Sequence, residues 1–417
     1  MALVQKNEIV EMKITGMTAQ GAGVGHYQGM AVFTPLTAPG DVARVRIVKA
    51  AKNYAYGRLE ELVSPSADRM EPDCPCFAQC GGCCYRHITY EAELGIKAAR
   101  VKDALTRIGG FRSLPVRPIL GADSRDGYRN KALLPLGTKK DGSLSMGFYA
   151  VNSHRIVDCE ECRLQPEEFN RAMAAFRQWA AAYGDPVYDE ATHSGRMRRL
   201  YLRKGEMTGQ ILACVVVNGN GLHHETKLVQ ALKQAVPGLS SVVINSNRER
   251  TNVALGQKCR TIYGMDTIED TLCGHAVQTL SPLFYQVNRT QAQRLYELAG
   301  RYAQLTGKEL LLDLYCGIGT ISLALAPAGR SGDRGGDRPG GRAGRPGQCR
   351  PQPGFKCPVP VRRRGRGRLS AGRRGGPPPG HLRGPAPEGA GPGGAGDSGL
   401  HGARAHRLRL LRPGNAR

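Results

Sequence analysis

Residues 309–326 read E-L-L-L-D-L-Y-C-G-I-G-T-I-S-L-A-L-A. The aliphatic run up to Asp313 is typical of a buried strand, Gly317 and Gly319 predict a turn, and a helix is predicted to begin near Thr320. The order of strand, glycine turn and helix is typical of the start of the ligand site in a Rossmann-like sheet. The glycines let a ligand approach the backbone at the helix N-terminus. The phosphate-binding pattern G-x-G-x-x-G is incomplete, which favours a nucleoside without a pyrophosphate, such as S-adenosylmethionine, over a dinucleotide.

The stretch L-S-P-L-F-Y-Q-V-N, at residues 280–288, precedes a second predicted helix. Asn288 is a good N-cap for that helix, and Gln291 occupies the position of a capping box. Gln286 is therefore predicted to lie at a fixed strand or loop end near the sheet. An ordinary polar loop residue would show the same pattern.

Downstream of residue 328 the composition changes. Residues 329–417 are rich in Gly, Arg and Pro and have no hydrophobic periodicity, so this segment cannot bury a core and is predicted to be disordered. A genuine basic extension that binds RNA would have this composition. A GC-rich gene read out of frame would have it too, because Gly, Arg, Pro and Ala all have GC-rich codons.

Two groups of cysteines lie upstream. The first reads C-P-C-F-A-Q-C-G-G-C-C at residues 74–84, and the second reads D-C-E-E-C at residues 158–162. Such spacing lets one loop wrap three thiolates around a metal centre that a distant fourth cysteine completes. Four thiolates suit a 4Fe–4S cluster or a structural zinc ion, and unligated buried thiols are the remaining reading. The chain has thirteen cysteines and is expected to be cytosolic, which favours metal binding or reactive cysteines over disulfides.

The N-terminal residues 3–62 alternate polar and apolar side chains with glycine punctuation, which predicts short strands and a small barrel. Near its end, cations stand beside aromatic rings. This combination suits a nucleic-acid backbone with stacked bases, and a solvated strand edge would look similar. The residues concerned are Lys49, Lys52, Tyr54, Tyr56 and Arg58.

The middle of the chain mixes strand and helix patterns. A helix is predicted from Leu94 to Ile108, because apolar residues recur at helical spacing before Gly109 and Gly110. Farther on, residues 210–217 read as a buried strand and residues 223–235 as a helix. The region from 115 to 275 is therefore predicted to form a central α+β domain.

The charge and hydropathy of the chain limit its partners. The formal net charge is +24, and the residues before the tail are also basic on balance, which favours a polyanionic partner. No segment has the roughly 18 consecutive apolar residues of a membrane span, and the start lacks a signal-peptide pattern. We therefore expect a soluble, cytoplasmic protein without a membrane partner.

Taken together, the motifs resemble the iron-sulfur-containing RNA uracil-5-methyltransferases, the family that makes 5-methyluridine in 23S ribosomal RNA. The resemblance covers residues 1–328 and rests on five ordered motifs after a TRAM-type barrel. They are C-P-C-F-A-Q-C-G-G-C at 74–83, G-Y-R-N-K at 127–131, H-R-I-V-D-C-E-E-C at 154–162, F-Y-Q-V-N at 284–288 and D-L-Y-C-G-I-G-T at 313–320.

The resemblance implies two sets of site residues. The ligands of a 4Fe–4S cluster would be Cys74, Cys80, Cys83 and Cys162, which leaves Cys76, Cys84 and Cys159 as bystanders. Gln286 and Tyr315 match positions that contact S-adenosylmethionine, and Asp313, Gly317 and Gly319 complete the predicted cofactor site.

The resemblance also implies a mechanism. Uracil C5 is a poor nucleophile, so a cysteine thiolate adds to C6, the resulting enolate takes the methyl group, and a base removes the C5 proton. The target base must leave its stack to reach the pocket. The required cysteine lies in an S-C-D/N-P motif and an aspartate lies in D-P-P-R. Neither motif occurs in this chain.

A change of reading frame would explain the loss of these motifs. In one alternative register, permitted codons for residues 334–338, 383–389 and 411–417 spell G-V-E-I, V-D-P-P-R-K-G and C-D-P-A-T-L. We therefore predict a frame change near residues 327–333 and a chain that lacks its nucleophile.

The predicted fold class is a multidomain α/β protein. Residues 1–64 form a TRAM-type, OB-like RNA-binding barrel; 65–275 the iron-sulfur loop and central α+β domain; 276–328 the start of a truncated Rossmann-like methyltransferase domain; and 329–417 the aberrant tail. The expected partner is RNA, with 23S ribosomal RNA favoured over transfer RNA by resemblance alone, and the protein is expected to be a monomer. A non-catalytic RNA-binding iron-sulfur protein is the alternative function.

Overall fold

A computed structural model describes residues 4–251, 253–279, 285–306, 310–313, 316, 318–326 and 408–411. The chain divides into two compact units. The first comprises residues 1–270, 278–282 and 286–291, and the second comprises 271–277, 283–285 and the residues from 292 onward.

The N-terminal strands close into a five-stranded barrel with the order β1-β2-β3-β5-β4. Apolar and polar residues alternate along each strand, so one side chain in two enters the barrel interior. Gly57 occupies an interior position where an added Cβ would lie 2.1 Å from Cγ1 of Val45, so only glycine fits there without a shift. The strands are β1 (Ile9–Met17), β2 (Ala22–Tyr27), β3 (Met30–Pro35), β4 (Val42–Ala50) and β5 (Tyr54–Ser64).

The loop that contains the first cysteine group follows the barrel and contacts it. Nε2 of His87 lies 3.2 Å from the carbonyl oxygen of Thr37, and the hydroxyl of Tyr85 donates to the carbonyl of Thr18 at 3.2 Å. Burial lowers the pKa of the His87 imidazole. The loop is therefore positioned by the barrel as well as by the sheet that comes after it.

A helix, α1 (Tyr90–Asp103), begins after the loop and continues as a π-helical turn, Ala104–Ile108. The hydroxyl of Thr89 caps its N-terminus by accepting from the N–H of Ala92 at 3.3 Å. The predicted helix is confirmed. No residue of α1 is buried, however, and Ile108 is 88% exposed, so the apolar stripe seen in the sequence covers no core among the described residues.

A seven-stranded mixed sheet forms the central domain, in the order β12-β11-β10-β9-β6-β7-β8. Two helices pack on one of its faces, and β10 and β11 are parallel because the second helix carries the chain across between them. The elements are β6 (Lys131–Thr138), β7 (Leu144–Tyr149), β8 (Ile156–Asp158), α2 (Glu167–Tyr183), β9 (Met197–Lys204), β10 (Ile211–Val217), α3 (Glu225–Ala235), β11 (Leu239–Ser246) and β12 (Lys258–Gly264).

The predicted strand at 210–217 and the helix at 223–235 are confirmed as β10 and α3, within one or two residues. Every residue of β10 is buried, which explains its uninterrupted apolar run. A separate two-stranded sheet follows, formed by β13 (Ile268–Leu272) and β14 (His275–Thr279).

The second unit contains the predicted strand-turn-helix. The helix α4 (Arg289–Ala303) is followed by the strand β15 (Leu310–Asp313) and the short helix α5 (Thr320–Leu325). As predicted, Asn288 caps α4, since its Oδ1 accepts from the N–H of Gln291 at 3.0 Å. The core of this unit is built by the buried residues Leu272, Val277, Tyr285, Ala292, Tyr296, Leu311, Ile321 and Leu325.

Leu408–Leu411, within the segment predicted to be disordered, form a strand, β16, that pairs antiparallel with β15. A leucine-rich segment can add to the open edge of a short strand through backbone hydrogen bonds alone. The rest of residues 329–417 lies outside the described residues. No helix in the described part of the chain is long and apolar enough to cross a membrane.

Candidate functional site

Six cysteines line one cavity in the first unit, with a volume of about 40 Å³. The loop is held against the end of β7, where the N–H of Gly81 donates to the carbonyl of Tyr149 at 3.0 Å. An added Cβ at Gly81 would lie 3.0 Å from that same oxygen, so the close approach favours glycine. The cysteines are Cys74, Cys76, Cys80, Cys83, Cys159 and Cys162, and the four predicted ligands are all among them.

The backbone contacts of four of these cysteines are of two kinds. The sulfur of Cys80 accepts from the N–H of Gly82 at 3.4 Å, and the backbone N–H groups of Leu164 and Gln165 partly offset the effect of burial on the pKa of Cys162. By contrast, Cys76 donates to the carbonyl of Asp158 at 3.4 Å and Cys159 donates to that of Glu161 at 2.9 Å. Backbone N–H groups aimed at sulfur suit thiolates, whereas a donor to a carbonyl must keep its proton.

Burial makes these thiols hard to ionise on their own. It raises the pKa of Cys80 and of Cys162, and it raises the pKa of Cys83 to about 12. A group that binds through thiolates must therefore supply positive charge to the cavity.

Three arginines, Arg86, Arg129 and Arg163, also line the cavity. The side chain of Arg86 is 5% exposed and forms ion pairs with Asp73 and Asp126, while Arg163 pairs with Asp73 at 3.2 Å. The charge of Arg86 partly offsets the effect of burial on the pKa of Cys83, and the charge of Arg129 does the same for Cys162. These charges stabilise the thiolate forms of Cys83 and Cys162.

The spacing of the sulfurs bears on the kind of metal. Within the described residues, no three His, Cys, Asp or Glu side chains are arranged to hold a metal ion as they stand. A tetrahedral zinc site needs sulfurs about 3.8 Å apart, which follows from Zn–S bonds of about 2.3 Å. In an iron-sulfur cluster each thiolate binds a different iron, so the ligands stand farther apart. A zinc ion and an iron-sulfur cluster on these cysteines would therefore require different spacings of the sulfurs.

Gln286 lies in a segment of the first unit that the G-Y-R-N-K motif holds in place. The buried side chain of Asn130 donates from Nδ2 to the carbonyl of Gln286 at 2.9 Å, and its backbone N–H donates to the carbonyl of Val287 at 2.9 Å. Arg129 forms a β-bridge with Asn288. Two motifs more than 150 residues apart thus meet. Apart from the position of Asn130 in the G-Y-R-N-K motif, no local pattern predicts this contact.

A basic cluster stands beside this contact. Lys131 on β6 and Arg203 on β9 are directly opposite each other in the antiparallel register, and Arg203 is fully buried. Burial lowers the pKa of Lys131, and the charges of Arg203 and Arg129 lower it further. Like charges placed opposite each other on a sheet repel, so an anion bound near them would be stabilising.

The predicted cofactor turn lies in the second unit. Asp313 is buried at the end of β15, where its Oδ2 accepts from the hydroxyl of Ser322 at 3.0 Å. Gly319 has φ +83°, a left-handed conformation that turns the chain into α5. The hydroxyls of Tyr296 and Thr320 lie 3.3 Å apart. The other two predicted residues of this site, Tyr315 and Gly317, lie outside the described residues.

Comparison with known proteins gives the family. The TRAM domain family matches residues 3–59. An uncharacterized RNA methyltransferase from Halalkalibacterium halodurans is 41% identical over 325 residues, which are 78% of this chain and 71% of that protein. This chain belongs to the RNA methyltransferases. A further RNA methyltransferase, from Clostridium tetani, is 38% identical over 78% of this chain and 70% of its own length.

A solved structure shares the fold of this RNA methyltransferase. It is the Pyrococcus abyssi tRNA (uracil-54, C5)-methyltransferase in complex with S-adenosyl-L-homocysteine, with a TM-score of 0.58 and 24% identity over 76% of this chain and 70% of that one. The predicted TRAM-type barrel is confirmed by the family match and by the closed ring of five strands. The predicted membership of an RNA methyltransferase family is confirmed by the relatives.

Proposed function

We propose that this RNA methyltransferase belongs to the enzymes that transfer the methyl group of S-adenosylmethionine to C5 of uracil in 23S ribosomal RNA. We also propose that the protein is a cytoplasmic monomer. The observation that carries the proposal is the clamp of Asn130 on the Q-V-N segment, which joins two of the five ordered motifs in space. The fold shared with a tRNA uracil C5-methyltransferase supports the choice of uracil. The basic cluster at Lys131 supports an anionic substrate.

The proposed cofactor site uses Gln286, Asp313, Tyr315, Gly317 and Gly319. S-adenosylmethionine would supply a methyl group on a sulfonium. The left-handed Gly319 permits close approach of a ligand to the backbone, and the Ser322 hydroxyl fixes the Asp313 carboxylate.

The proposed metal site is a 4Fe–4S cluster on Cys74, Cys80, Cys83 and Cys162. Support comes from the shared cavity, from the N–H group directed at the sulfur of Cys80, and from the arginines that line the cavity. The test is anaerobic purification with metal analysis. Brown protein with about four irons per chain is expected for a cubane with four thiolate ligands, whereas colourless protein with zinc would contradict the cluster.

We further propose that this particular chain is catalytically defective, because it lacks the family's nucleophile motif. The extent of the curated relatives supports this idea. Their alignments cover about 325 residues, close to the 328 that precede the change of composition, and leave nearly a third of each relative without a counterpart. Resequencing the gene across codons 325–335 tests the frame change directly.

The deciding assay is methyl transfer from labelled S-adenosylmethionine to a uridine-containing fragment of 23S ribosomal RNA, with transfer RNA in parallel. It compares the chain as written with a chain whose later reading frame is restored. Label in 23S RNA from the restored chain alone is expected. Turnover by the chain as written would contradict the defect. Label confined to transfer RNA would contradict the choice of substrate, and RNA binding without methylation by the restored chain would favour a non-catalytic RNA-binding iron-sulfur protein.

A further inference from the structure

Three aromatic rings form an exposed cluster on the outer surface of the barrel. The ring centroids of Phe33 and Tyr56 are 5.7 Å apart, those of Tyr54 and Tyr56 are 5.6 Å apart, and those of Phe33 and Tyr54 are 6.0 Å apart. Two of the contacts are edge-to-face and one is tilted. Ring faces are therefore left open to solvent, and Tyr54 is 40% and Tyr56 is 44% exposed.

The alternation of the strands fixes this outward orientation. Ala55 and Gly57 point into the barrel, so Tyr54 and Tyr56 on the same strand must point away from it. Phe33 stands opposite Tyr56 in the parallel register of β3 and β5. The rings contribute little to the barrel core, and an exposed group of aromatic rings on a small domain is typical of a binding surface.

All three arginines on the barrel strands form ion pairs with glutamates. Arg44 pairs with Glu11 and Glu61, and both Arg46 and Arg58 pair with Glu60. Hydrogen bonds from these two arginines hold the pKa of Glu60 at about 2, so it stays ionised. Arg58, which the sequence pattern placed with the aromatic residues, thus forms an ion pair with Glu60 and is not counted among the phosphate contacts.

Two lysines beside the rings remain available for a polyanion. Lys49 is exposed on β4 opposite Tyr56 in the register, and Lys52 is exposed in the turn between β4 and β5. Within the described residues neither forms an ion pair. Ring faces next to free ammonium groups match the pattern of bases and phosphates along one nucleic-acid strand.

We infer that Tyr54, Tyr56 and Phe33 form a platform for unstacked bases of single-stranded RNA, and that Lys49 and Lys52 hold the adjoining phosphates. The inference rests on the proposed function for the choice of RNA and adds the strandedness and the residues. Paired bases in an A-form helix are stacked on each other, so they cannot offer their faces to these rings. The occupant is therefore a loop or an unpaired segment.

The test measures binding of the full chain to a fluorescein-labelled, uridine-containing single-stranded RNA of about 12 nucleotides by anisotropy, with a duplex of the same sequence as competitor. Tyr54→Ala and Tyr56→Ala should each weaken binding about 5-fold to 100-fold, in line with the loss of one stacked base. Tyr54→Phe should restore it, since the ring face is kept. Tyr183→Ala, at a tyrosine on α2 that is 45% exposed, is the matched control and should change nothing.

The lysines have a separate readout. Because each phosphate contact adds about 0.7 to the slope of log K against log salt for a single strand, Lys49→Gln combined with Lys52→Gln should reduce that slope by about 1.4. Arg58→Gln should leave it unchanged. Every variant keeps the basic residues 329–417, so their non-specific contribution to RNA binding is the same in all of them.

The outcomes separate the two proposals. If the unchanged chain binds single-stranded RNA but both alanine variants bind as tightly, or if the duplex competes equally well, the platform is overturned while the proposed function stands. If the unchanged chain binds no RNA of either kind, both fail. Circular dichroism melting of each variant shows whether a loss of binding is a loss of fold.

Discussion

Replacing Asp41 by Asn should destabilise the barrel by about 3–5 kcal/mol at neutral pH. The Asp41 carboxylate is fully buried and accepts from the backbone N–H of Ala38 at 2.6 Å and of Ser66 at 2.9 Å. Arg69 donates to both of its oxygens, from Nε at 2.8 Å and from Nη2 at 2.9 Å. Removing the charge leaves a largely buried guanidinium without its partner, which costs more than one neutral hydrogen bond.

The measurement must separate the barrel from the central sheet. Trp179 is the chain's single tryptophan and is buried in the core of the central sheet, so its fluorescence reports urea unfolding there. Hydrogen exchange in peptides covering β1 and β4 reports opening of the barrel. We expect barrel amides to exchange about 100-fold faster or more in the variant, with a much smaller change in the fluorescence midpoint.

The control is Glu61→Gln, which removes an exposed ion pair with Arg44 and should cost less than about 1 kcal/mol.

The effect of Asp41 also depends on pH. Burial alone would raise its pKa, but Arg69 and the two backbone N–H groups outweigh burial and hold the pKa below its ordinary value of 3.8. The stabilisation is therefore present above pH 3.8 and is lost as the pH falls through the lowered pKa. Equal exchange rates in the two variants at neutral pH would refute this reasoning.

Three further predictions concern the site and the barrel. Cys162→Ala should abolish the visible absorbance and iron content of anaerobically purified protein, whereas Cys76→Ala should keep them; equal iron loss would contradict the ligand assignment. Asn130→Ala should lower the free energy of unfolding in urea by about 1–2 kcal/mol, since a backbone carbonyl loses its donor; an unchanged midpoint would contradict the clamp. Gly57→Ala should cost about 1–3 kcal/mol in thermal melting because its Cβ meets Val45, and an unchanged melting temperature would show that the barrel relaxes freely.

Local patterns predicted much of the fold. The alternation of residues 3–62 gave the barrel, the apolar run before Val217 gave β10, and Asn288 gave the start of α4. Each of these signals depends on neighbours within a few residues, so the sequence contains it in full. The cofactor turn at Asp313 and Gly319 was found in the same way.

Other features of the site depend on contacts between distant segments. The motif around Asn130 could be read as a motif, but its partner lies 156 residues away and nothing local indicates the contact. Likewise, the hydrogen bonds that set Cys76 and Cys159 apart from their neighbours involve carbonyl groups whose direction only the folded loop defines. Arg58, which the sequence pattern predicted to contact the RNA backbone, pairs with Glu60 instead.

The helix α1 shows the limit of periodicity. Its apolar residues recur at helical spacing and the helix forms, yet none of them is buried. A repeat of this kind reports that one face is apolar. It does not report whether another element covers that face.

The two sheets of the first unit deal with exposed strand edges in different ways. The barrel closes on itself, so within residues 9–64 every strand has a neighbour on both sides and no edge can recruit a foreign strand. The central sheet stays open and ends at β12, where Lys258 and Arg260 stand exposed. Charge discourages intermolecular pairing less completely than closure does. In a cell that makes this chain, intermolecular strand pairing should therefore begin at the open sheet and not at the barrel.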